Sequence, residues 1–280
     1  MNEKNKAPQD SEKPQLRLED HFTFTCNKSL DCYTSCCRDV NIFLTPHDVI
    51  RLKKAMGITS TEFLDQYTDI VVVSGKHLPL VQLRMDENND KRCFFVRPNG
   101  CLYYPHRPWA CRMFPLDENQ KGGFTITATP DRCHGLIKGT DWEVREWLKD
   151  QGAIQSKEMD GSYDSLSAHE FLRELDIENE EILNMVVKAL WDVDGFRQMV
   201  LKSSFLDKFE LEPERIDAIK YDDLAMMDLG YDWVRFGLFG QKTLKVKEGL
   251  KPRPGVEDEL KARIKEAKAK ALKGGKKGKK

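Results

Sequence analysis

Residues 24–37 read FTCNKSLDCYTSCC, and this stretch decides what kind of domain the first half of the chain forms. It places four cysteines within twelve residues, at Cys26, Cys32, Cys36 and Cys37, among small and polar neighbours. A segment of this composition buries little apolar surface, but it suits a loop that wraps a metal. Thiolates are soft ligands that select zinc or iron–sulfur centres over magnesium or calcium.

The other four cysteines, Cys93, Cys101, Cys111 and Cys133, are more widely spaced, and residues 134–280 contain none. The polar, acidic start of the chain shows no signal peptide, and no apolar run approaches the length of a membrane span. We therefore expect a cytoplasmic location, where thiols stay reduced. Eight reduced cysteines in one window indicate metal or redox chemistry, whereas buried thiols packed as small hydrophobes would explain one or two.

The adjacent pair Cys36 and Cys37 leaves the number of centres open. In an extended chain their side chains would point to opposite faces, so either a turn folds both onto one centre or each serves a different one. Eight thiolates allow two four-ligand centres, or one such centre and four other cysteines. All eight cysteines are therefore candidate metal ligands, and His106 or His134 could replace a thiol.

Arginines cluster around the cysteines. Arg38, Arg92, Arg112 and Arg132 each flank a cysteine directly, and Arg107 lies close by. A zinc ion or an oxidised four-iron cluster held by four thiolates carries a net charge of about −2. Guanidinium groups would offset that charge and keep thiol pKa values low. We expect Arg107 and Arg112 in particular to contribute to cofactor binding.

From Phe22 to His134 the sequence resembles the YkgJ-type cysteine-cluster family, the zinc- or iron-chelating CxxCxxCC domain. The most specific part of the resemblance is RPWACRMFP at residues 107–115, which matches the family's RPxxCRxFP string. The opening cysteines are separated by five and three residues instead of the usual two and two. A flagellin lysine methylase carries a similar cluster, thought to hold an iron–sulfur centre, which implies that the motif can accompany catalysis.

Local patterns predict an α+β chain. Thr45, Asp48 and Gly57 provide the caps of a helix, and Thr59 with Glu62 forms the capping box of another. Short strand patterns follow up to about residue 129, and Asp141 is expected to cap a helix that runs through Leu148. Beyond residue 162 apolar residues recur mainly at helical spacing.

These patterns divide the chain into four parts. Residues 1–20 are predicted to be a disordered leader, and residues 21–150 a small metal-stabilised cysteine-cluster domain of short strands and helices. The pattern lapses at 150–161, and residues 162–240 follow as a mainly helical C-terminal region. Residues 251–280 hold twelve Lys or Arg against four Asp or Glu, which predicts a basic helix and a disordered Lys-rich tail.

The leading hypothesis is a protein that holds an iron–sulfur cluster, of the 4Fe-4S type, or zinc, and acts in redox chemistry, metal handling or assembly with a protein partner. The alternatives are a cluster-dependent enzyme that modifies a protein side chain and a zinc-stabilised interaction module. The sequence contains no Gly-rich nucleotide loop, H-E-x-x-H motif or nucleophile elbow, so whether it is an enzyme stays open. The basic tail could contact nucleic acid or an acidic partner weakly, and no membrane contact is expected.

Overall fold

The computed structural model describes residues 15–72, 78–119, 122–168 and 179–247. Helices and short paired strands both occur there and the C-terminal part is helical, so the α+β class and the helical region predicted from the sequence are confirmed. The chain divides into two compact units. The cysteine unit comprises Met1–Leu44 and Leu83–Met159, and the helical unit comprises Thr45–Gln82 and Asp160–Lys280.

The strands are short throughout. In chain order they are β1 (His21–Phe24), β2 (Phe43–Leu44), β3 (Thr68–Val71), β4 (Leu80–Leu83), β5 (Met85–Asp86), β6 (Arg92–Cys93), β7 (Val96–Arg97), β8 (Gly100–Cys101), β9 (Leu116–Glu118), β10 (Phe124–Ile126), β11 (Thr140–Glu143), β12 (Phe209–Glu210) and β13 (Lys245–Val246).

The α-helices are longer in the helical unit. In chain order they are α1 (Pro46–Met56), α2 (Ser60–Tyr67), α3 (Trp109–Met113), α4 (Val144–Asp150), α5 (Ala153–Met159), α6 (Gly161–Ser167), α7 (Glu180–Leu190), α8 (Val193–Lys202), α9 (Phe205–Lys208), α10 (Pro213–Tyr221) and α11 (Asp223–Phe239). Single turns of 3-10 helix lie at Ser35–Cys37, Glu87–Asn89, Tyr104–His106 and His134–Leu136.

An aromatic core lies at one end of the cysteine unit. β1 pairs antiparallel with β11, with Phe22 opposite Trp142 and Phe24 opposite Thr140. Because side chains alternate along a strand, Phe22 and Phe24 share the buried face. Both rings pack edge-on against Trp147 of α4, with ring centroids 5.9 and 5.1 Å apart. Each buried aromatic side chain contributes about 2–3 kcal/mol, so this core holds β1, β11 and α4 together.

Part of the predicted leader is ordered. Leu16 exchanges two backbone hydrogen bonds with Phe124 of β10, at 2.7 and 2.8 Å, and both Leu16 and Leu18 pack against the aromatic core. The prediction of disorder was wrong for residues 15–20, because two leucines find apolar partners that the polar average composition conceals. Residues 1–14 lie outside the described part of the chain.

A further local prediction was wrong. Asp141 was expected to cap a helix, but it lies in β11, and α4 begins after Glu143 because pairing with β1 extends the strand. The stretch 150–161, where the apolar pattern lapses, contains α5. That helix buries Ala153 and Ser156, both small, so it presents no stripe of large apolar residues to a sequence pattern.

The first helix of the helical unit has the caps predicted for it. The Thr45 hydroxyl oxygen accepts the amide of Asp48 at 3.1 Å, and the Asp48 carboxylate accepts the amide of Thr45 at 3.2 Å. Gly57 ends the helix with φ 69°, a conformation that glycine adopts without strain. Thr59 and Glu62 form the same reciprocal box before α2. Both helix starts predicted from the sequence are confirmed.

The core of the helical unit is apolar and deep. Phe196 of α8 and Leu229 and Val234 of α11 are each 0% exposed. A polar contact adds to this packing, since the Lys53 ammonium of α1 lies 2.8 Å from Asp194 at the start of α8.

The chain passes between the units in a way that the domain prediction did not include. Residues 45–82 lie inside the cysteine-cluster domain predicted over 21–150, yet they belong to the helical unit. The basic helix and tail predicted over 251–280 lie outside the described residues. None of the helices in the described ranges combines the length and the apolar character that a bilayer crossing requires.

Candidate metal centre

All eight cysteines are free thiols and all belong to the cysteine unit. Each lies in a turn, in a short helix or at the end of a strand, so the fold brings them together from several short segments. Cys26 follows β1, Cys32 lies in the turn before the 3-10 helix that holds Cys36 and Cys37, Cys93 ends β6, Cys101 ends β8, Cys111 lies in α3, and Cys133 precedes the 3-10 helix His134–Leu136.

A close backbone approach joins the segments of Cys26 and Cys133. The amide of Thr25 donates to the carbonyl of Gly135 at 3.0 Å. A Cβ on Gly135 would lie 2.3 Å from the Thr25 carbonyl oxygen, so a larger residue would force the two segments apart. Gly135 thus places Cys26 beside the turn that carries Cys133.

A second backbone contact joins the segments of Cys37 and Cys93. Arg38 and Arg92, the residues immediately after Cys37 and before Cys93, form an antiparallel bridge. The guanidinium of Arg38 pairs with the Asp90 carboxylate and strengthens the same junction. These contacts place Cys37 near the segment that carries Cys93.

The electrostatics of the thiols identify a first group of four. Shielding from solvent, and then the charges of Cys36, Cys133 and Cys32, raise the pKa of Cys26 to about 11. Burial is also the main cause that raises the pKa of Cys133, and the charges of Cys32 and Cys36 add to it. We call Cys26, Cys32, Cys36 and Cys133 the first set.

The remaining thiols also interact with one another, and Cys37 interacts with Cys36 of the first set as well. A hydrogen bond from the Cys37 thiol lowers the pKa of Cys36 to about 7. That bond, then burial and the charges of Cys36, Cys111 and Cys93, raise the pKa of Cys37. Burial raises the pKa of Cys93, and the charge of Cys101 adds to the effect. We call Cys37, Cys93, Cys101 and Cys111 the second set.

The two sets are near neighbours but not closed cages. Within the described ranges, no three His, Cys, Asp or Glu side chains converge at the spacing of a metal site. Bonds from a metal to thiolate sulfur are about 2.3 Å long, so four sulfurs around one ion must draw closer than they stand. The thiol interactions indicate which sulfurs would bind the same ion. Binding would then require the short loops that carry these sulfurs to move.

Arg107 is a buried cation beside the second set. The residue is 8% exposed, and its guanidinium donates to the Tyr104 carbonyl at 2.8 Å and to Gln151 Oε1 at 2.6 Å. It also lies 4.0 Å from the centroid of the Tyr104 ring. Burial raises the pKa of Cys101, while the Tyr103 amide and the Arg107 charge lower it. The Arg107 guanidinium is therefore close enough to Cys101 to favour its thiolate.

Arg112 braces the loop between β8 and α3. Its guanidinium donates to three backbone carbonyls, those of Arg107 at 3.1 Å, Gln151 at 2.9 Å and Pro105 at 2.7 Å. This fixes the approach to Cys111, which precedes Arg112 in the helix. The role of both arginines in cofactor binding stays a prediction, and their contacts are compatible with positioning the thiol-bearing loop.

Sequence reasoning missed two residues that the structure places at the site. Gln151 lies outside every motif, yet it contacts both Arg107 and Arg112. Tyr33 packs so closely on Gly100 that a Cβ there would lie 2.5 Å from the tyrosine oxygen. Burial and then charges from cysteines of both sets raise the pKa of Tyr33. Its position inside the opening cysteine loop was the available signal.

The histidines considered as substitute ligands have other surroundings. His134 Nδ1 lies 3.8 Å from a carboxylate oxygen of Asp31, and His106 is exposed. Whether either imidazole replaces a thiol stays a prediction, and both sets are defined here by their thiols.

Residues 25–134 match a family model, CxxCxxCC, described as a "Putative zinc- or iron-chelating domain". No curated protein and no solved structure shows a significant match to the chain. The matched stretch is less than half of the chain; it is similar to the cysteine-cluster family that its motifs resemble, and it contains all eight cysteines together with Arg107 and Arg112. The match supports metal binding in general.

Proposed function

From the match of residues 25–134 to a metal-chelating family model, we propose that the cysteine unit holds two four-thiolate iron–sulfur centres and serves redox chemistry. The observation that supports the proposal is the presence of all eight thiols in this unit, where backbone contacts join the segment of Cys26 to that of Cys133 and the segment of Cys37 to that of Cys93. The first set would hold one centre and the second set the other, although Cys36 and Cys37 share a hydrogen bond in the absence of metal.

The donor atoms suit this chemistry. Four cysteine thiolates are the usual ligands of a four-iron cluster, and they also suit zinc. The thiols are partly buried, so a free thiolate there is costly and a bound cation would offset the cost. An iron–sulfur cluster, when bound, supplies one-electron transfer, while the chain contributes the ligands, the loop geometry and the nearby cationic groups.

Exposure favours iron–sulfur centres over two structural zinc ions. Cys26 and Cys36 of the first set are exposed, which would bring one centre near the surface, where an electron partner could approach. A structural zinc site does not need this exposure. The charge of Arg107 would offset the negative charge of either kind of centre, so it does not distinguish them.

Anaerobic purification of the full chain tests the proposal. We expect a brown protein with about eight iron atoms and eight sulfide ions per chain, and a paramagnetic resonance signal on reduction. A colourless protein with about two zinc ions would support the zinc alternative and overturn the redox role. A protein without bound metal, which also fails to take up iron and sulfide, would contradict both.

The cytoplasmic location and the partner are also proposals. Reduced thiols and thiolate centres fit a reducing compartment. The positive charge of residues 251–280 favours an acidic protein partner or a nucleic acid, and such binding should weaken steeply between low and physiological salt. Binding that is unchanged when this segment is removed would exclude it as the contact.

A further inference from the structure

Resting on the proposed function, we infer that Tyr33 is a positioning residue of the metal centre. Its ring docks the opening loop, residues 26–37, on the hairpin formed by β7 and β8, and so sets how closely the thiols of that loop approach Cys101. Tyr33 lies inside the opening loop, between Cys32 and the pair Cys36–Cys37. The phenol would support the site without binding metal itself.

The contact is made at the turn of the hairpin. The Tyr33 hydroxyl donates to the Asn99 carbonyl at 3.3 Å. A Cβ on Gly100 would lie 2.5 Å from the tyrosine oxygen and 3.5 Å from ring carbon Cζ, so a side chain at this position would displace the phenol. Gly100 also has φ 112°, a conformation that glycine adopts far more readily than other residues. Position 100 therefore requires glycine for two independent reasons.

The hairpin places this contact next to a candidate ligand. Gly100 pairs with Arg97, and Cys101 pairs with Val96, which is 4% exposed. Cys101 therefore lies in a paired strand, beside the glycine on which the Tyr33 ring rests. A shift of the ring relative to the hairpin would change the separation between the opening loop and the Cys101 thiol.

On the side of the opening loop, a strained turn comes directly after Tyr33. Thr34 has φ 66° and ψ 0°, in the left-handed region that is unfavourable for a residue branched at Cβ. This turn leads into the 3-10 helix that holds Cys36 and Cys37, and the Cys37 amide donates to the Thr34 carbonyl at 3.0 Å. Strained backbone persists where surrounding contacts hold it, and the contact of Tyr33 with the hairpin is adjacent to this turn.

Tyr33 acts on the middle of the opening loop. The backbone contacts of Thr25 with Gly135 and of Arg38 with Arg92 lie just outside the two ends of this loop. Tyr33 lies between those ends, beside the thiol-bearing residues. A loop that is already docked loses less conformational freedom when it binds a metal than a loop that is free in its middle. Metal affinity should therefore depend on Tyr33.

Cobalt(II) titration of the full chain provides the test. The reduced, metal-free protein is titrated without oxygen while thiolate-to-cobalt charge-transfer absorption is recorded, and zinc is then added in competition. Tyr33→Ala removes the ring and should weaken cobalt binding by about 10–100-fold, the range typical of groups that support metal ligands. It should also lower the absorption per bound cobalt, which reflects the number of thiolates on the ion and which a general loss of stability would not change.

Two further variants separate the ring from its hydroxyl and from the substitution itself. Tyr33→Phe keeps the ring and loses one long hydrogen bond, so it should bind cobalt within about threefold of the parent. Tyr221→Ala is the matched control, because it makes the same change at a residue of the helical unit that is 85% exposed. It should bind cobalt as the parent does.

A second pair of variants tests the contact from the side of the hairpin. Gly100→Ala places a Cβ 2.5 Å from the tyrosine oxygen, whereas in the double variant Tyr33→Phe with Gly100→Ala the nearest ring carbon is at 3.5 Å, an ordinary contact. The strain of a positive φ is common to both variants, so their difference reports the contact with the hydroxyl alone. The double variant should bind cobalt more tightly than Gly100→Ala does. Should Gly100→Ala fail to fold, the Tyr33 variants decide the question.

The outcomes distinguish this inference from the function on which it rests. A Tyr33→Ala variant with the cobalt affinity and absorption of the parent would overturn the role of Tyr33 and leave the metal centre intact. Equal binding by folded Gly100→Ala and the double variant would do the same. A parent chain that binds neither cobalt nor zinc would overturn the metal centre, and the inference with it.

Discussion

Different interactions stabilise the interior of the cysteine unit and the interior of the helical unit. In the helical unit, side chains such as Phe63, Phe196 and Leu229 are completely buried between helices. In the cysteine unit, deep burial is concentrated around β1, β11 and α4, while seven of the eight cysteines are only partly buried or exposed. Apolar packing can therefore stabilise the folded helices, whereas the cysteine loops need a further cross-link, which a metal would supply.

Metal removal should give the largest contrast between the units. Structural zinc contributes about 10–16 kcal/mol in small domains, so stripping metal under reducing conditions should expose the amides of the cysteine loops to exchange. The helices α7, α8 and α11 should keep their protection, and so should α1 and α2, which lie within the family stretch but belong to the helical unit. Hydrogen exchange on loaded and stripped protein measures this, and equal protection of the loops in both samples would contradict a structural metal.

A cavity in the core of the helical unit should lower its stability but leave the metal content unchanged. Phe196→Ala removes a ring that is 0% exposed and should lower the free energy of unfolding by about 3–5 kcal/mol. Metal content should stay at the parent level because no cysteine lies in that unit. Chemical denaturation and elemental analysis on the same sample provide the two readouts. Loss of metal in this variant would mean that the units do not fold independently.

Gly135→Ala tests how the first set is assembled. Its new Cβ would lie 2.3 Å from the Thr25 carbonyl oxygen, so the backbone must shift, at a cost of about 1–3 kcal/mol. We expect the purified variant to hold about half of the metal of the parent protein, because the first set would be disrupted while the second is left in place. Gly161→Ala is the control, since a Cβ there meets no atom within 4 Å. A metal content equal to that of the parent in Gly135→Ala would show that this close approach does not position Cys26.

The smallest effect concerns the pH dependence of the helical unit. Burial, and then the Asp48 charge, raise the pKa of Asp160 to about 7, with Asp164 adding to the rise and Thr45 and Arg51 opposing it. Because the folded state holds this proton more tightly than the unfolded chain, stability should be highest below about pH 4 for this group and should fall as the pH rises towards 7.

The slope should be about 1.4 kcal/mol per pH unit at most, and it should level off above pH 7. Asp160→Asn keeps the shape of the side chain without the ionisation, so its denaturation midpoint should vary less between pH 5 and 7 than that of the parent. An identical pH profile in the two proteins would exclude Asp160 as the titrating group.

Local signals in the sequence were sufficient to predict where α1 and α2 begin. The capping boxes at Thr45 and Thr59 depend on residues three apart, so their outcome does not require knowledge of the rest of the fold. Asp141 was misread because β11 exists through its pairing with β1, about 120 residues away, and no local pattern carries that information.

The candidate site likewise has features that local sequence predicts and features that depend on distant segments. The cysteines and the arginines of the RPWACRMFP string were visible as residue types in a motif, and the family match covers them. The interaction of Cys37 with Cys93 and Cys111, and the contact of Gln151 with Arg107, depend on how distant segments meet. Spacing alone left one centre and two centres equally open for that reason.

The route of the chain has a practical consequence for making fragments of this protein. The family match begins at residue 25, after β1 has ended, and stops at 134, before β11 and α4 begin. A fragment cut to those limits would discard the strands and the Trp147 ring that enclose the aromatic core, and it would carry α1 and α2 without the helices they pack against. The matched stretch is therefore not expected to fold by itself. A fragment that folds should begin before Leu16 and extend through α11.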